Sequence, residues 1–317
     1  MDEIVCANTA FRYWRCPPQV HDLYPRLPSS DDGWRALSQA PFVTDVLKTP
    51  IIAVASPGCC NHHSGLRSTI RWEGASDVGT TIDTHLGFSV TNPLNTLFTM
   101  TRFVSQIDLV LAMYELCGWF SVFEPTPGAE MQLKMAVEEN RNSNTQDLFE
   151  LGEGEDEVPW KRVNARATVK AADNEGQTNK HEDGREVTKL KGTSLWMRKP
   201  LIELSDLHRF AEKVKSQMWG KQFYDAAQQV IGIAASPLEV AGVLLLSRSR
   251  RLGGSGFRYV YLNDLTPLSE EAQSIAGQKV CYGDIVIVNP ILMKAAIIEI
   301  QGEVIHGSGA VLDQDAE

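Results

Sequence analysis

The stretch 279–306, KVCYGDIVIVNPILMKAAIIEIQGEVIH, decides how the rest of the chain is read. Two apolar runs, 285–288 and 295–301, read as strands, and each carries one acid. Asp284 opens the first and Glu299 sits near the end of the second. A carboxylate in a buried apolar strand costs several kcal/mol unless it is paired or binds a metal. Two acids on adjacent strands, with the polar Gln301 two positions after the second, form a candidate divalent-metal site. The structural alternative is two acids at strand ends, facing solvent.

Upstream, the order of elements is readable. Residues 235–246 open with Ser236-Pro237-Leu238-Glu239 and continue as a strongly apolar helix. Ser236-x-x-Glu239 has the form of a capping box, which gives Glu239 a structural role to set against metal binding. Arg248, Arg250 and Arg251 fall at the C-terminal end of this helix, where cations suit its dipole. Gly253-Gly254-Ser255-Gly256 breaks the chain, and 257–262 reads as a strand leading into Asn263-Asp264. Before this helix, Ser205-Asp206 is expected to cap a run with Leu207, Phe210, Val214 and Met218 inward. A second helical run, 221–231, follows Gly220.

At the other end of the chain, 7–16 reads as a short helix capped by Thr9 and ended by Pro17. Phe11 and Trp14, three apart, are expected to face inward; with Arg12 and Arg15 between and beside them they also suggest a base-stacking surface. Residues 51–55, 68–72 and 86–90 read as strands. The Cys59-Cys60-Asn61-His62-His63 cluster has poor zinc spacing and reads as an exposed turn. Asn92-Pro93 marks a helix start, with Leu94, Leu97 and Phe98 on one face. Ser105 starts a second helix, which Gly118 stops.

The middle differs. Residues 124–195 hold fifteen Asp/Glu against ten Lys/Arg, half of the chain's net charge of −10. Such composition buries little surface against chain entropy, so most of it reads as a flexible linker or insertion, with short ordered pieces near Trp160 and Trp196. The six cysteines, scattered over 317 residues, suit reduced thiols of a cytoplasmic protein. No apolar run reaches 18 residues and the first residues lack an apolar leader, so neither a membrane span nor a secretory signal is expected.

This order of helix with Glu239, glycine-rich break, strand, Asp284 strand and Glu299-x-Gln301 strand resembles the core of the PD-(D/E)XK restriction-endonuclease-like superfamily. More closely, 198–317 is similar to the very-short-patch-repair-like domain of bacterial, actinobacterial-type proteins, through Ser236-Pro237-Leu238-Glu239, Arg251-Leu252-Gly253-Gly254, Leu262-Asn263 and the Asp284/Glu299 pair. Residues 4–122 resemble the middle region of AbiEi-type antitoxin-like proteins at Val90-Thr91-Asn92-Pro93-Leu94-Asn95-Thr96-Leu97. The resemblance implies an α/β chain in three parts: an α+β domain at 1–123, the acidic linker or insertion at 124–195, and the endonuclease-like α/β core at 196–317. In the superfamily a further helix and strand follow the Glu-x-Lys strand, so this core is expected to be C-terminally truncated, with a protein partner or second copy covering the sheet edge.

The implied chemistry is phosphodiester hydrolysis. Asp284, Glu299 and Glu239 would hold Mg²⁺ or Mn²⁺, and Gln301 stands where the superfamily often has lysine. His306 would orient water or meet a phosphate, and Arg248, Arg250 and Arg251 would contact the backbone of DNA. The alternative is a non-enzymatic, antitoxin-like regulator or interaction protein that keeps the nuclease scaffold.

Overall fold

The structure, a computed structural model, describes residues 4–28, 33–55, 63–72, 79–142, 160–169, 187–277 and 279–300. Its first part runs β1 (Ile4–Val5), α1 (Ala7–Arg15), α2 (Pro18–His21), α3 (Trp34–Gln39), a π-helical turn at Val43–Leu47, β2 (Ile51–Val54), β3 (Arg67–Ile70), β4 (Thr81–Asp83) and β5 (Ser89–Thr91). Next come α4 (Pro93–Met100), α5 (Gln106–Cys117), β6 (Phe120–Val122), α6 (Pro127–Asn142), β7 (Lys161–Val169) and β8 (Val187–Met197). The last part is α7 (Leu204–Val214), α8 (Gly220–Ala227), α9 (Pro237–Ser247), a 3-10 turn at Arg250–Leu252, β9 (Val260–Pro267), α10 (Glu270–Ala276), β10 (Val280–Asn289) and β11 (Lys294–Ile298). Helices combine with mixed and antiparallel sheets, as the α/β reading expects. No helix among the described residues is long and apolar enough to cross a membrane.

Three sheets are present among the described residues. A five-stranded mixed sheet has the order β3-β2-β1-β5-β4, with β1 parallel to β5 and antiparallel to β2. An antiparallel sheet runs β6-β8-β7, and another β11-β10-β9. Side-chain caps set several helix starts. Asn92 accepts the Asn95 amide ahead of Pro93, and Ser105 accepts that of Asp108. At α1 the cap comes from elsewhere: Thr99 Oγ1 accepts the Ala7 amide at 3.0 Å, while the Thr9 hydroxyl accepts the Ile52 amide at 3.0 Å. Thr9 therefore ties the helix to β2 and does not cap it. Phe11 is buried as expected, and the half-buried Trp14 donates from Nε1 to the Thr91 carbonyl. Arg12 and Arg15 are engaged internally, by the Leu47 carbonyl and the Glu115 carboxylate, so the base-stacking idea for this helix lapses. Met218 is exposed, because α7 ends at Val214 and the backbone turns left-handed at Trp219 (φ 70°).

The three-part division of the chain needs correction. One buried cluster gathers Phe11, Ile52, Leu97, Met113, Leu116, Leu207, Phe223, Val243, Leu262 and Ile285, and so spans both ends of the chain. Tyr114 joins α5 to the α8–α9 connection: its hydroxyl donates to the Gln229 carbonyl at 2.9 Å and accepts the Ile231 amide at 3.2 Å. The segment 124–195 is not mostly linker where it is described. It contains α6 and β7, and β8 pairs with β6 across Ser121 and Trp196. Trp196 is fully buried in a second cluster with Phe42, Leu47, Phe88 and Phe123. The pieces near Trp160 and Trp196 are thus part of the folded body.

That second cluster holds a buried imidazole. His21 stacks on Tyr13 with ring centroids 4.3 Å apart, and its Nε2 has no hydrogen-bond partner among the described residues. Burial, with His85 nearby, pushes its pKa down to about 3. The unfolded chain therefore binds a proton between pH ~6.5 and 3 that the folded protein refuses, so stability rises with pH in that window. We expect His21 alone to remove about 1.4 kcal/mol per pH unit as the pH falls below ~6. Urea unfolding at pH 7 and pH 5 checks this: the loss should shrink in His21→Phe, and an unchanged loss would refute it.

Candidate functional site

The site candidates meet on a unit of one helix and three consecutive antiparallel strands, α9, β9, β10 and β11. The apolar run of β10 packs under α9, whereas β11 is exposed over most of its length and touches the core through Ile298 and the following Ile300. Ile285, Ile287, Ile298 and Ile300 belong to the core or lie against it. A Cβ at Gly242 of α9 would lie 2.9 Å from Ile285 Cδ1 and 2.6 Å from Ile300 Cδ1, so this glycine lets the helix approach the sheet closely. The turn between β10 and β11 is held by Asn289 Oδ1, which accepts the amides of Ile291 and Leu292.

Glu239 is 6% exposed, at the first turn of α9. Its amide donates to Ser236 Oγ at 3.2 Å, and its Oε2 accepts the Ala235 amide at 2.8 Å. The capping reading is thus realised, with the returning bond one residue before the N-cap. The same oxygen accepts from Asn263 Nδ2 at 2.8 Å, which also donates to the Ile233 carbonyl at 3.0 Å. Asn263 takes a left-handed conformation (φ 49°) in the middle of β9. The β9–β10 pairing passes over it, running from Ile285↔Leu262 to Gly283↔Asp264. The skipped pair is Asn263 opposite Asp284. The irregularity lets the Asn263 amide reach back to the helix.

Asp284 is half-buried, and its Oδ2 accepts the Ile300 amide at 2.7 Å. The β10–β11 register ends at Ile285↔Ile298, and one step further along it brings Asp284 opposite Glu299. The Asp284 carboxylate therefore lies against the peptide that joins Glu299 to Ile300. Asn263 and Asp284 thus face each other at the skipped position of β9 and β10, Glu299 follows directly after β11, and Glu239 is bonded to Asn263. Gln301 and His306 lie outside the described residues, as does the Cys59–His62 part of the cysteine-histidine loop.

All three candidate ligands are carboxylates, a donor type that suits Mg²⁺ or Mn²⁺. Among the described residues, no group of three His, Cys, Asp or Glu is arranged to hold a metal ion. Asp284 is half-buried and Glu299 exposed, while Glu239 is engaged by the Ala235 amide and Asn263. Arg248 is the C-cap residue of α9, half-buried, with Nε donating to Gln229 Oε1 at 3.1 Å. Arg250 and Arg251 lie on the exposed turn that follows.

Asn263 is the residue whose role the sequence reading missed. The available signal was its type: asparagine is among the few residues other than glycine that readily take a left-handed conformation. Comparisons of the chain with protein-family models, with curated proteins and with solved structures gave no match.

Proposed function

We propose that the chain is an endonuclease-like phosphodiesterase whose site is the Asp284/Glu299 pair. One observation carries this reading: the Asp284 carboxylate accepts the Ile300 amide, which sets it against the backbone of Glu299 just past the end of β11. The succession of a capped helix and three antiparallel strands agrees with the superfamily core that the sequence resembles. Asp284 and Glu299 would hold a divalent cation. When bound, it would supply Lewis-acid stabilisation of the phosphate and a more acidic water. Glu239 keeps Asn263 fixed beside Asp284. Gln301 and His306 remain the proposed water-positioning groups, and DNA the proposed substrate.

A specific observation favours a second reading. Asp284 Oδ2 and Glu239 Oε2 both serve backbone amides, which is the work of carboxylates retained for structure. On that reading the unit is the scaffold of a non-enzymatic antitoxin-like regulator or interaction protein.

The test is cleavage of labelled single-stranded and duplex DNA with Mg²⁺ or Mn²⁺. The expected result is metal-dependent cleavage that falls to background in both Asp284→Ala and Glu299→Ala. Folded wild-type protein that cuts neither substrate with either metal would sink the enzyme and leave the regulator.

A further inference from the structure

The residues 240–263 hold four arginines and no acid, in a chain whose net charge is −10. The fold turns this stretch into a fixed surface. After α9 the backbone folds back on the helix: the Ser255 amide donates to the Leu245 carbonyl, Gly256 to Arg248 and Phe257 to Leu246, at 2.7–3.0 Å. A Cβ at Gly254 would collide with the Arg248 carbonyl at 2.1 Å, so the tight return requires that glycine. Arg250, Arg251 and Arg258 are exposed on this turn, without a hydrogen bond or ion pair to any other described residue.

The turn feeds directly into β9, whose side chains alternate. Val260 and Leu262 are buried toward the helices, whereas Tyr259 and Tyr261 are 46% and 43% exposed on the opposite face. Tyr261 pairs with Val286, which pairs in turn with Ile297, so the tyrosine ring has an apolar floor. Two aromatic rings two residues apart, flanked by unpaired arginines, match what a single strand of nucleic acid needs: π-faces for its bases and cations for its phosphates.

We propose that Tyr259 and Tyr261, with Arg250, Arg251 and Arg258, form a docking platform for single-stranded nucleic acid. The inference rests on the nucleic-acid substrate proposed above, and adds which form of it binds and where. A second copy of this chain is the competing occupant, since Phe257 and Ile297 are also exposed. The free arginines decide for a polyanion: two identical basic surfaces facing each other would repel.

The test is fluorescence anisotropy of a labelled oligo(dT) and of a duplex of equal length, in EDTA so that no cleavage intervenes. The expected result is tighter binding of the single strand. The double variant Tyr259→Ala/Tyr261→Ala should lower that affinity about tenfold or more, whereas Tyr259→Phe/Tyr261→Phe should retain it. Arg250→Ala/Arg251→Ala/Arg258→Ala should reduce the salt dependence, log K against log salt, by about 2 for the single strand. Equal binding of both forms, equal loss in the Phe and Ala variants, or a wild-type dimer that the Ala variant dissolves would each overturn the platform. Binding without cleavage in the metal assay would sink only the phosphodiesterase, and cleavage without single-strand preference would sink only the platform.

Discussion

Glu115→Ala is expected to cost roughly 3–5 kcal/mol of folding stability, a large share of the total for a protein of ordinary stability. Glu115 is 3% exposed and sits on α5 where three parts of the chain meet. Its carboxylate accepts Arg15 Nε at 2.9 Å and Nη2 at 2.5 Å, Ser121 Oγ at 3.0 Å and the Val122 amide at 2.9 Å. Its own carbonyl accepts from Arg198 Nη2 at 2.6 Å. Arg198 is buried, and loss of solvent pulls its pKa down to about 10, while the negative Glu115 acts against that fall. Removing the carboxylate therefore strips the counter-charge from two arginines and leaves the Val122 amide without its acceptor. Such losses exceed those of an exposed ion pair, because the remaining groups stay desolvated. Urea denaturation of wild type, Glu115→Ala and Glu115→Gln checks this. The glutamine variant should fall between the other two, since it keeps an acceptor but no charge. A loss under about 1 kcal/mol in the alanine variant would contradict the burial argument.

Trp196→Ala should cost a comparable amount, about 3–5 kcal/mol. Its ring is fully buried on β8, its Nε1 donates to the Phe123 carbonyl at 3.1 Å, and the Arg162 guanidinium lies 5.6 Å from the ring centroid. Arg162 in turn bridges to Glu130 of α6 at 2.8 Å. Alanine would leave a tryptophan-sized cavity in the second core, among Phe42, Phe88, Phe123 and Leu133. The measurement also discriminates between architectures. If 124–195 were only a tether, the substitution would lie at its margin and shift the thermal midpoint little. If β6, β8 and β7 form one sheet on the second core, the midpoint should drop by many degrees, and Trp196→Phe should recover part of the loss.

The hairpin of β10 and β11 was legible because both strands are continuous apolar runs, although only β10 is buried and β11 lies exposed at the sheet edge. The helix starts at Asn92-Pro93, Ser105 and Ser236 were legible because a side-chain cap is a local device. The sheet of β7 and β8 was hidden by its composition. In 161–169 and 187–197 lysine, arginine and threonine alternate with small or apolar residues, so mean polarity suggests a linker while period-two alternation supports a strand. The shared core was not legible at all. The contact of Tyr114 with Gln229 and Ile231 links distant segments, and no local pattern records that pairing. At the site, the two acids were singled out by the expected cost of a carboxylate in an apolar strand; Asp284 is half-buried in β10, whereas Glu299 is exposed just past the end of β11, as the solvent-facing alternative expects. The Asn263 link was not legible, since it depends on a single backbone irregularity opposite Asp284.

The core that joins both ends of the chain has a consequence during synthesis. Tyr114 emerges from the ribosome 117 residues before Ile231, whose amide its hydroxyl accepts. At 5–20 residues per second this leaves roughly 6–23 s in which α5 lacks its α8 and α9 partners. Leu109, Met113 and Leu116 would spend that interval as exposed apolar surface, since α8 and α9 are not yet made. The apolar face of α5 that α8 and α9 cover is therefore the surface left open in the nascent N-terminal half, and products shortened before α8 should aggregate before the full chain does.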